Sequence, residues 1–468
     1  MTKRKVGKRN AKVSQQKRNA AQAEPVGGLK GLAQRHWQEW LLAAALVSLA
    51  AVLRMNGVGI SEFKADEARL LALALEMAEG QIPLRGISSS VGLPNFPTSV
   101  WLYALPLLVW PHPYAATLFT GLLNTGAVLA CYWLVRRYWG LMAAVAATLL
   151  FAVSPWAVIF SRKIWAQNLL PLFVMLWLIG LALALVERKP RFIWLVLVAL
   201  ALAVQIHLAA LALAPATLVL LLLFWRRISW RDLLIGTGLG VLTAVPFLFY
   251  LSQQRSLIGE GLAKAGGEAV GFSLEALNFA RMMSVGNDLH SLVGAAQVEM
   301  FLAQAPQMGR IEWLITAVLI ISLIYLGVTV WQKRGSKQAD MALIVLVWAF
   351  SLPLFFLFWR SSPVYLHYFI ALLPAPYIAF GVAFANWLAW LEMRLLRIIS
   401  WVVLIGLAYF QVRFCCRCWP LSGRWRRRAA LAHPFLPTGG GRNGRFAHGR
   451  NGRSRDFSSG QRGERRIG

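Results

Sequence analysis

The feature that most limits how this chain can fold is its series of long apolar runs, such as WLLAAALVSLAAVL at 40–53, LMAAVAATLLFAV at 141–153 and FIWLVLVALALAVQI at 192–206. A helix needs about 20 predominantly apolar residues to cross a bilayer, and with their flanks several runs reach that length. Only 14% of the 468 residues are charged while 58% are hydrophobic. Such a chain can bury its backbone polar groups in lipid only as helices, so the expectation is an all-α polytopic membrane protein.

The formal charge of +29 is concentrated at the two ends. Residues 1–36 carry ten Lys/Arg against one Glu, and residues 411–468 carry fourteen Arg against Asp456 and Glu464. The basic start has no small-residue cleavage site behind its apolar run, so 1–37 reads as a retained cytoplasmic arm. Cys131 lies in an apolar run and Cys415, Cys416 and Cys418 crowd the tail, which matches neither a disulfide framework nor a zinc site.

Basic residues near span ends stay cytoplasmic, and this orders the runs. Eleven spans result, at about 38–58, 113–135, 141–159, 168–186, 192–207, 208–225, 232–251, 311–331, 340–358, 365–388 and 396–411. The arm and the clusters RR (136–137), ERKPR (187–191), WRRISWR (225–231), QKRGSK (332–337) and EMRLLR (392–397) then all fall inside. The segment FPTSVWLYALPLLVW (96–110) is interrupted by Pro97 and Pro106 and would invert every later loop if it crossed. It is expected to be a re-entrant or interfacial helix in a first external loop, 59–112; a second long external loop covers 252–310. Residues 38–411 form the membrane domain.

Past Gln411 the composition turns abruptly to Gly and Arg. An odd number of spans puts these arginines outside, away from nucleic acid, although the composition also resembles an RGG segment. The tail 412–468 reads as disordered or, the favoured reading, as the product of a shifted reading frame.

The stretch GISEFKADEARLLALALEMAEGQIPLRG (59–86) gathers Glu62, Asp66, Glu67, Glu76 and Glu79 in an acid-poor chain. On a helix, Glu62, Asp66, Arg69, Glu76 and Glu79 form a polar stripe at spacings of three, four and seven, as on a helix lying in the membrane surface. Glu76 and Glu79 are explained as a solvated face. Asp66 and Glu67 sit at the helix N-terminus, where the dipole favours their charge. Such a pair at the water–lipid boundary suits a general base, a metal ligand or both, against the plainer role of helix capping.

A second cluster, Arg162, Lys163, Trp165, Gln167 and Asn168 in SPWAVIFSRKIWAQN, falls outside against the positive-inside trend. Its cations suit a lipid phosphate, or serve as a headgroup anchor beside an aromatic belt. His207 lies at the outer turn of two spans, where a packing role is the plain alternative. Arg360, Tyr365, His367 and Tyr368 form a third polar group, also outside.

The order of F-x-x-DEA (63–68), LPNFPTSVWLYALPLLVW (93–110), SPWAVIFSR (154–162) and YLHYFIALLPAP (365–376) resembles the membrane-embedded C-type (GT-C) glycosyltransferases over about residues 38–390. The nearest branch is the protein O-mannosyltransferase and aminoarabinose-transferase clan, with its RgtA/B/C/D-like and family 39-like members. The resemblance implies a bundle of about 11 transmembrane helices with interfacial helices in the first external loop. It also implies a glycosyltransferase that moves a sugar from a polyprenyl-phosphate donor to a lipid, polysaccharide or protein acceptor, with inversion, at the external face of a bacterial plasma membrane. Asp66 would then be the catalytic base or a ligand of a divalent metal, with Glu67 beside it. Arg162 would meet the donor phosphate, and Lys163, Gln167, Asn168, His207, Arg360, Tyr365 and His367 complete the substrate site. Many relatives place a second acid after the SR motif, where this chain has Gln167 and Asn168. Amides cannot take a proton, which weakens a metal-dependent mechanism. The rival class is a transporter or lipid-linked-sugar flippase, against which stand nearly charge-free span interiors and the absence of a visible repeat.

Overall fold

The computed structural model describes residues 29–60, 63–88, 93–254, 274–285, 307–358 and 364–421, with residues 259, 272 and 303. Side chains at 29–36, 60, 307–309 and 414–421 are outside this description. The chain divides into two units, 1–426 and 427–468, and all described residues belong to the first.

Among the described residues the secondary structure is helical, apart from one isolated bridge between Ser88 and Pro94. Helix α1 (Leu29–Met55) carries the first span. The first loop folds into α2 (Ala65–Ala78) and α3 (Thr98–Val109). There follow α4 (Pro113–Trp139), α5 (Leu141–Val153), the short α6 (Pro155–Phe160), α7 (Leu170–Leu181), α8 (Ile193–Ile206), α9 (Leu213–Leu223) and α10 (Trp230–Ser252). The C-terminal half contains α11 (Glu275–Val285), α12 (Gln307–Gln332), α13 (Lys337–Phe358), α14 (Ala375–Trp390) and α15 (Arg394–Leu421).

Seven of the described helices are long and apolar enough to cross a membrane, and the bent pair Leu366–Leu372 plus Ala375–Trp390 makes an eighth. Each of the eleven expected spans falls on a helix, but three of these helices fall short of the length a full span needs. Those at Leu141–Val153, Pro190–Ile206 and Leu208–Leu223 are shorter apolar helices. The causes are local. Pro155 follows Ser154 and has no N–H to continue the ladder of α5, so a new helix starts there. His207 is extended (φ −155°, ψ 127°) and separates α8 from the next helical turn. The 12-residue α3 is, at about 1.5 Å per residue, too short to cross. The final helix runs on past Gln411 to Leu421.

Small residues set the closest helix contacts, as in many membrane bundles. On α14, a Cβ at Gly381 would lie 2.5 Å from the Ala143 carbonyl oxygen of α5. Gly236 and Gly240 of α10 meet α8 the same way, with a Cβ at Gly236 2.7 Å from Trp194 Cα. Between α4 and α5, Gly140 turns the chain at φ +88°, a conformation that L side chains rarely adopt.

The end of the bundle where the basic clusters gather is stapled by ion pairs. Glu39 of α1 takes a two-pronged contact from Arg136 of α4 (2.8 and 2.9 Å). Glu187, just after α7, accepts from Arg137 (3.2 Å), Tyr138 (3.2 Å) and Lys337 (2.7 Å). Arg227 pairs with Asp340 and donates to the Leu185 carbonyl at 2.9 Å. These staples tie α1, α4, α7, α9 and α13 together.

Candidate active site

At the opposite end, the first loop presents α2 with Glu67, Leu70, Leu71 and Ala74 buried. This is the i, i+3, i+4, i+7 face of a helix packed on its neighbour. The register separates the two acids. Asp66 is about half exposed (53%) and makes a loose contact with Arg69 at 3.7 Å. Glu67 is 1% exposed. One of its oxygens accepts from the Lys64 N–H at 2.9 Å, closing the first turn of α2. The other lies 2.9 Å from Lys163 Nζ, itself only 7% exposed. Glu76 and Glu79 face solvent, as the stripe predicts.

Lys163 belongs to the irregular segment between α6 and α7. Its ammonium stands 3.7 Å from the centre of the Trp165 ring. The segment is fixed from below: Asn168 Nδ2 donates to the Lys163 carbonyl (2.8 Å), and Asn124 of α4 donates to the Asn168 carbonyl (2.8 Å). Asn168 is fully buried and Gln167 is 4% exposed. Asn168 therefore holds the loop in shape. Tyr103 of α3 adds a second clasp, donating to the Trp165 carbonyl at 3.1 Å and accepting from its N–H at 3.2 Å.

Arg162 points elsewhere. Its Nε donates to the Leu53 carbonyl at 2.8 Å and a terminal nitrogen to the Asn56 carbonyl. These oxygens end the first span, where the helix leaves carbonyls without partners.

Trp165 meets the third polar group. Its ring is 4.9 Å from that of His367, which is stacked on Tyr365 at 5.5 Å and set edge-on to Tyr368 at 4.8 Å. His207 completes the cluster, 6.0 Å from His367 and 5.6 Å from Tyr368. His207 Nδ1 accepts from the Ala209 N–H at 3.2 Å and caps the next helical turn. Arg360 lies outside the described residues.

The structure thus joins Glu67, Lys163, His207, Tyr365 and His367, drawn from four separate segments, into one continuous cluster. Asp66 is at its edge, and Gln167 and Asn168 lie beneath it. Sequence reasoning missed Tyr103 as a clasp. It also missed Gln205, which accepts from Thr98 (3.0 Å) and donates to Thr243 (2.7 Å), docking the first loop on α8 and α10. A tyrosine and a glutamine inside apolar helices were the available signal.

Among the described residues no three His, Cys, Asp or Glu side chains stand together as metal ligands. Glu67 is committed to Lys163, and the amides of Gln167 and Asn168 are buried. Asp66, the acid expected as a metal ligand, stays open to water beside Arg69.

Between α9 and α13 runs an apolar groove of about 660 Å³, lined by Pro215, Val219, Leu346, Phe350, Leu354 and Phe355 among others. The next residue of α13, Phe356, is buried on another face of the helix and stacks on Tyr368 at 5.5 Å.

No family model and no curated protein matches the chain in sequence. Among solved structures it is similar to ArnT from Cupriavidus metallidurans bound to undecaprenyl phosphate, with a TM-score of 0.52 and 18% identity. That match covers 79% of this chain and 63% of ArnT, so the chain spans less than two thirds of that protein. The apo state of the same ArnT also gives a TM-score of 0.52 at 18% identity, covering 85% and 76% of the two chains. The archaeal oligosaccharyltransferase AglB from Archaeoglobus fulgidus gives 0.49 at 12% identity, covering 82% of this chain and 56% of AglB. The fold is that of a GT-C-like polytopic membrane protein, as the sequence led one to expect.

Proposed function

On this GT-C-like fold, we propose that the protein is an integral-membrane glycosyltransferase that moves a sugar from a polyprenyl-phosphate donor to an acceptor hydroxyl at the external face of a bacterial plasma membrane. The observation that carries the reading is the buried Glu67–Lys163 pair, set against Trp165 and the His207–His367 cluster. A lipid-linked donor needs these parts together: a dry channel for its tail, a cation for its phosphate and ring-and-hydrogen-bond surface for its sugar.

In the proposed reaction the acceptor oxygen attacks the anomeric carbon. The bond from that carbon to the phosphate oxygen breaks, and polyprenyl phosphate leaves with the electron pair. The acceptor proton passes to the Asp66 carboxylate, which is open to water at the start of α2. Lys163 meets the charge on the departing phosphate, and Glu67 holds its ammonium in place until then. Arg162 has hydrogen bonds committed to backbone carbonyls, so it adds positive charge more than direct contacts. The groove between α9 and α13 would take the polyprenyl tail.

The test incubates membranes containing the protein with labelled polyprenyl-phosphate sugars and follows the label. Transfer that depends on Asp66 and Lys163 supports the reading. Accumulation of the unaltered lipid-linked sugar in the opposite leaflet, with no transfer, would replace it with a flippase.

A further inference from the structure

The cluster around His367 also bears on which sugar the site accepts. His367 is ringed by Trp165, Tyr365, Tyr368 and His207, all with centroids within 6.0 Å of its own. The rings are not sealed in: Tyr365 is 46% exposed, and Trp165, His207, His367 and Tyr368 are partly exposed. Such a wall offers flat apolar faces together with imidazole nitrogens and phenol hydroxyls that give and accept hydrogen bonds. A polyhydroxy ring, with C–H faces and O–H edges, matches both.

Charge narrows the choice. The cation-attracting face of Trp165 is already occupied by the Lys163 ammonium at 3.7 Å. The carboxylate beside that ammonium, Glu67, is 1% exposed and paired with it at 2.9 Å. Asp66 lies out toward water beside Arg69. Among the described residues the wall therefore presents no unpaired acid to a second cation, and the charge set against its Trp165 ring is the Lys163 ammonium.

Resting on the reading above, we propose that the sugar subsite is built from His207, Tyr365, His367 and Tyr368 and selects a neutral sugar against one carrying an ammonium group. About tenfold discrimination needs only a fraction of the repulsion between nearby like charges at a protein surface, which leaves room for the offset from Glu67.

The experiment compares two polyprenyl-phosphate donors that differ by one hydroxyl replaced with an amine. At pH 7 the neutral donor should show kcat/KM at least about tenfold higher. The gap should close as pH rises through the amine's own pKa, near 8. Equal or better use of the amine donor at pH 7, or a gap unchanged to pH 9, overturns the proposal. A second arm uses His367→Phe, which keeps a ring and removes the hydrogen-bonding nitrogens. KM for the neutral donor should rise roughly tenfold or more, the loss expected when a site's hydrogen bonds to a hydroxyl go unmade. The inhibition constant of sugar-free polyprenyl phosphate should stay put. If both constants move together, His367 supports the fold and the assignment fails. Transfer of neither donor by a protein that still binds polyprenyl phosphate would instead sink the glycosyltransferase reading itself, and this inference with it.

Discussion

Asp66 and Glu67 are adjacent in the chain and alike in chemistry, yet one is half in water and the other is sealed against a lysine. Their substitutions should separate accordingly. Asp66→Asn keeps shape and loses charge, so the protein should stay as stable as before while sugar transfer falls about 10²–10⁴-fold, the contribution of a positioned base. Glu67→Gln leaves the Lys163 ammonium buried without its counter-charge, which costs about 3–5 kcal/mol. It should therefore lower thermal stability in detergent as well as activity. Glu76→Gln, on the solvated stripe, should change neither. Near-normal transfer by Asp66→Asn alongside a loss in Glu76→Gln would refute the ranking. The acid cluster and its place after the first span were legible in the sequence. Which acid turns inward was not, because that depends on the face α2 presents to α3 and on Lys163, far away in the chain.

At the scale of helices, the short contacts are the sensitive points. Gly381 lets α14 lie against Ala143 and Ala147 of α5, and α14 follows directly on the turn that carries His367. Gly381→Leu should force the helices apart at about 1–3 kcal/mol or more and displace the His367 cluster. Gly406→Leu on α15, where a Cβ meets nothing within 4 Å, is the matched control and should be silent in thermal unfolding. The staple at Glu187 predicts a pH dependence. Hydrogen bonds from Lys337, with Arg137 beside it, hold its carboxyl at about 2, well below the ordinary 4.5. A carboxylate with a lowered pKa contributes stability above its unfolded value and loses it as pH falls toward the folded one. Unfolding midpoints should thus drop between pH 4.5 and about 2, and Glu187→Gln should flatten that part of the profile. Apolar runs located these helices well in the sequence. The turn at His207 was legible too, between the spans ending at 207 and starting at 208, but the break at Ser154 was hidden inside the span 141–159, since one proline hardly alters the hydropathy of a window.

For the whole molecule, the breaks matter to orientation. The ion-pair staples and the His367 cluster lie at opposite ends of the same helices, and the sequence assigns the first end to the cytoplasm through its six basic clusters. Two short helices, Pro190–Ile206 and Leu208–Leu223, meet at His207. Whether they both cross or both turn back, the loop at 225–231 ends on the same side. The short α5 has no such partner. If it and α6 together failed to cross, the clusters at 187–191 and 225–231 would both move outside, leaving Arg188, Lys189, Arg226 and Arg231 against the positive-inside trend. The expected outcome is therefore that α5 and α6 cross as a broken span. Single cysteines at Ser88, which is exposed, and at Ile228 decide it in a variant whose Cys131, Cys415, Cys416 and Cys418 are replaced by serine. A membrane-impermeant maleimide added to intact cells should label Ser88→Cys and leave Ile228→Cys untouched until the membrane is opened. Labelling of Ile228→Cys from outside would show that α5 does not cross. The phosphate cation Lys163 would then share a side with the donor's cytoplasmic synthesis, and the external site proposed here would fall.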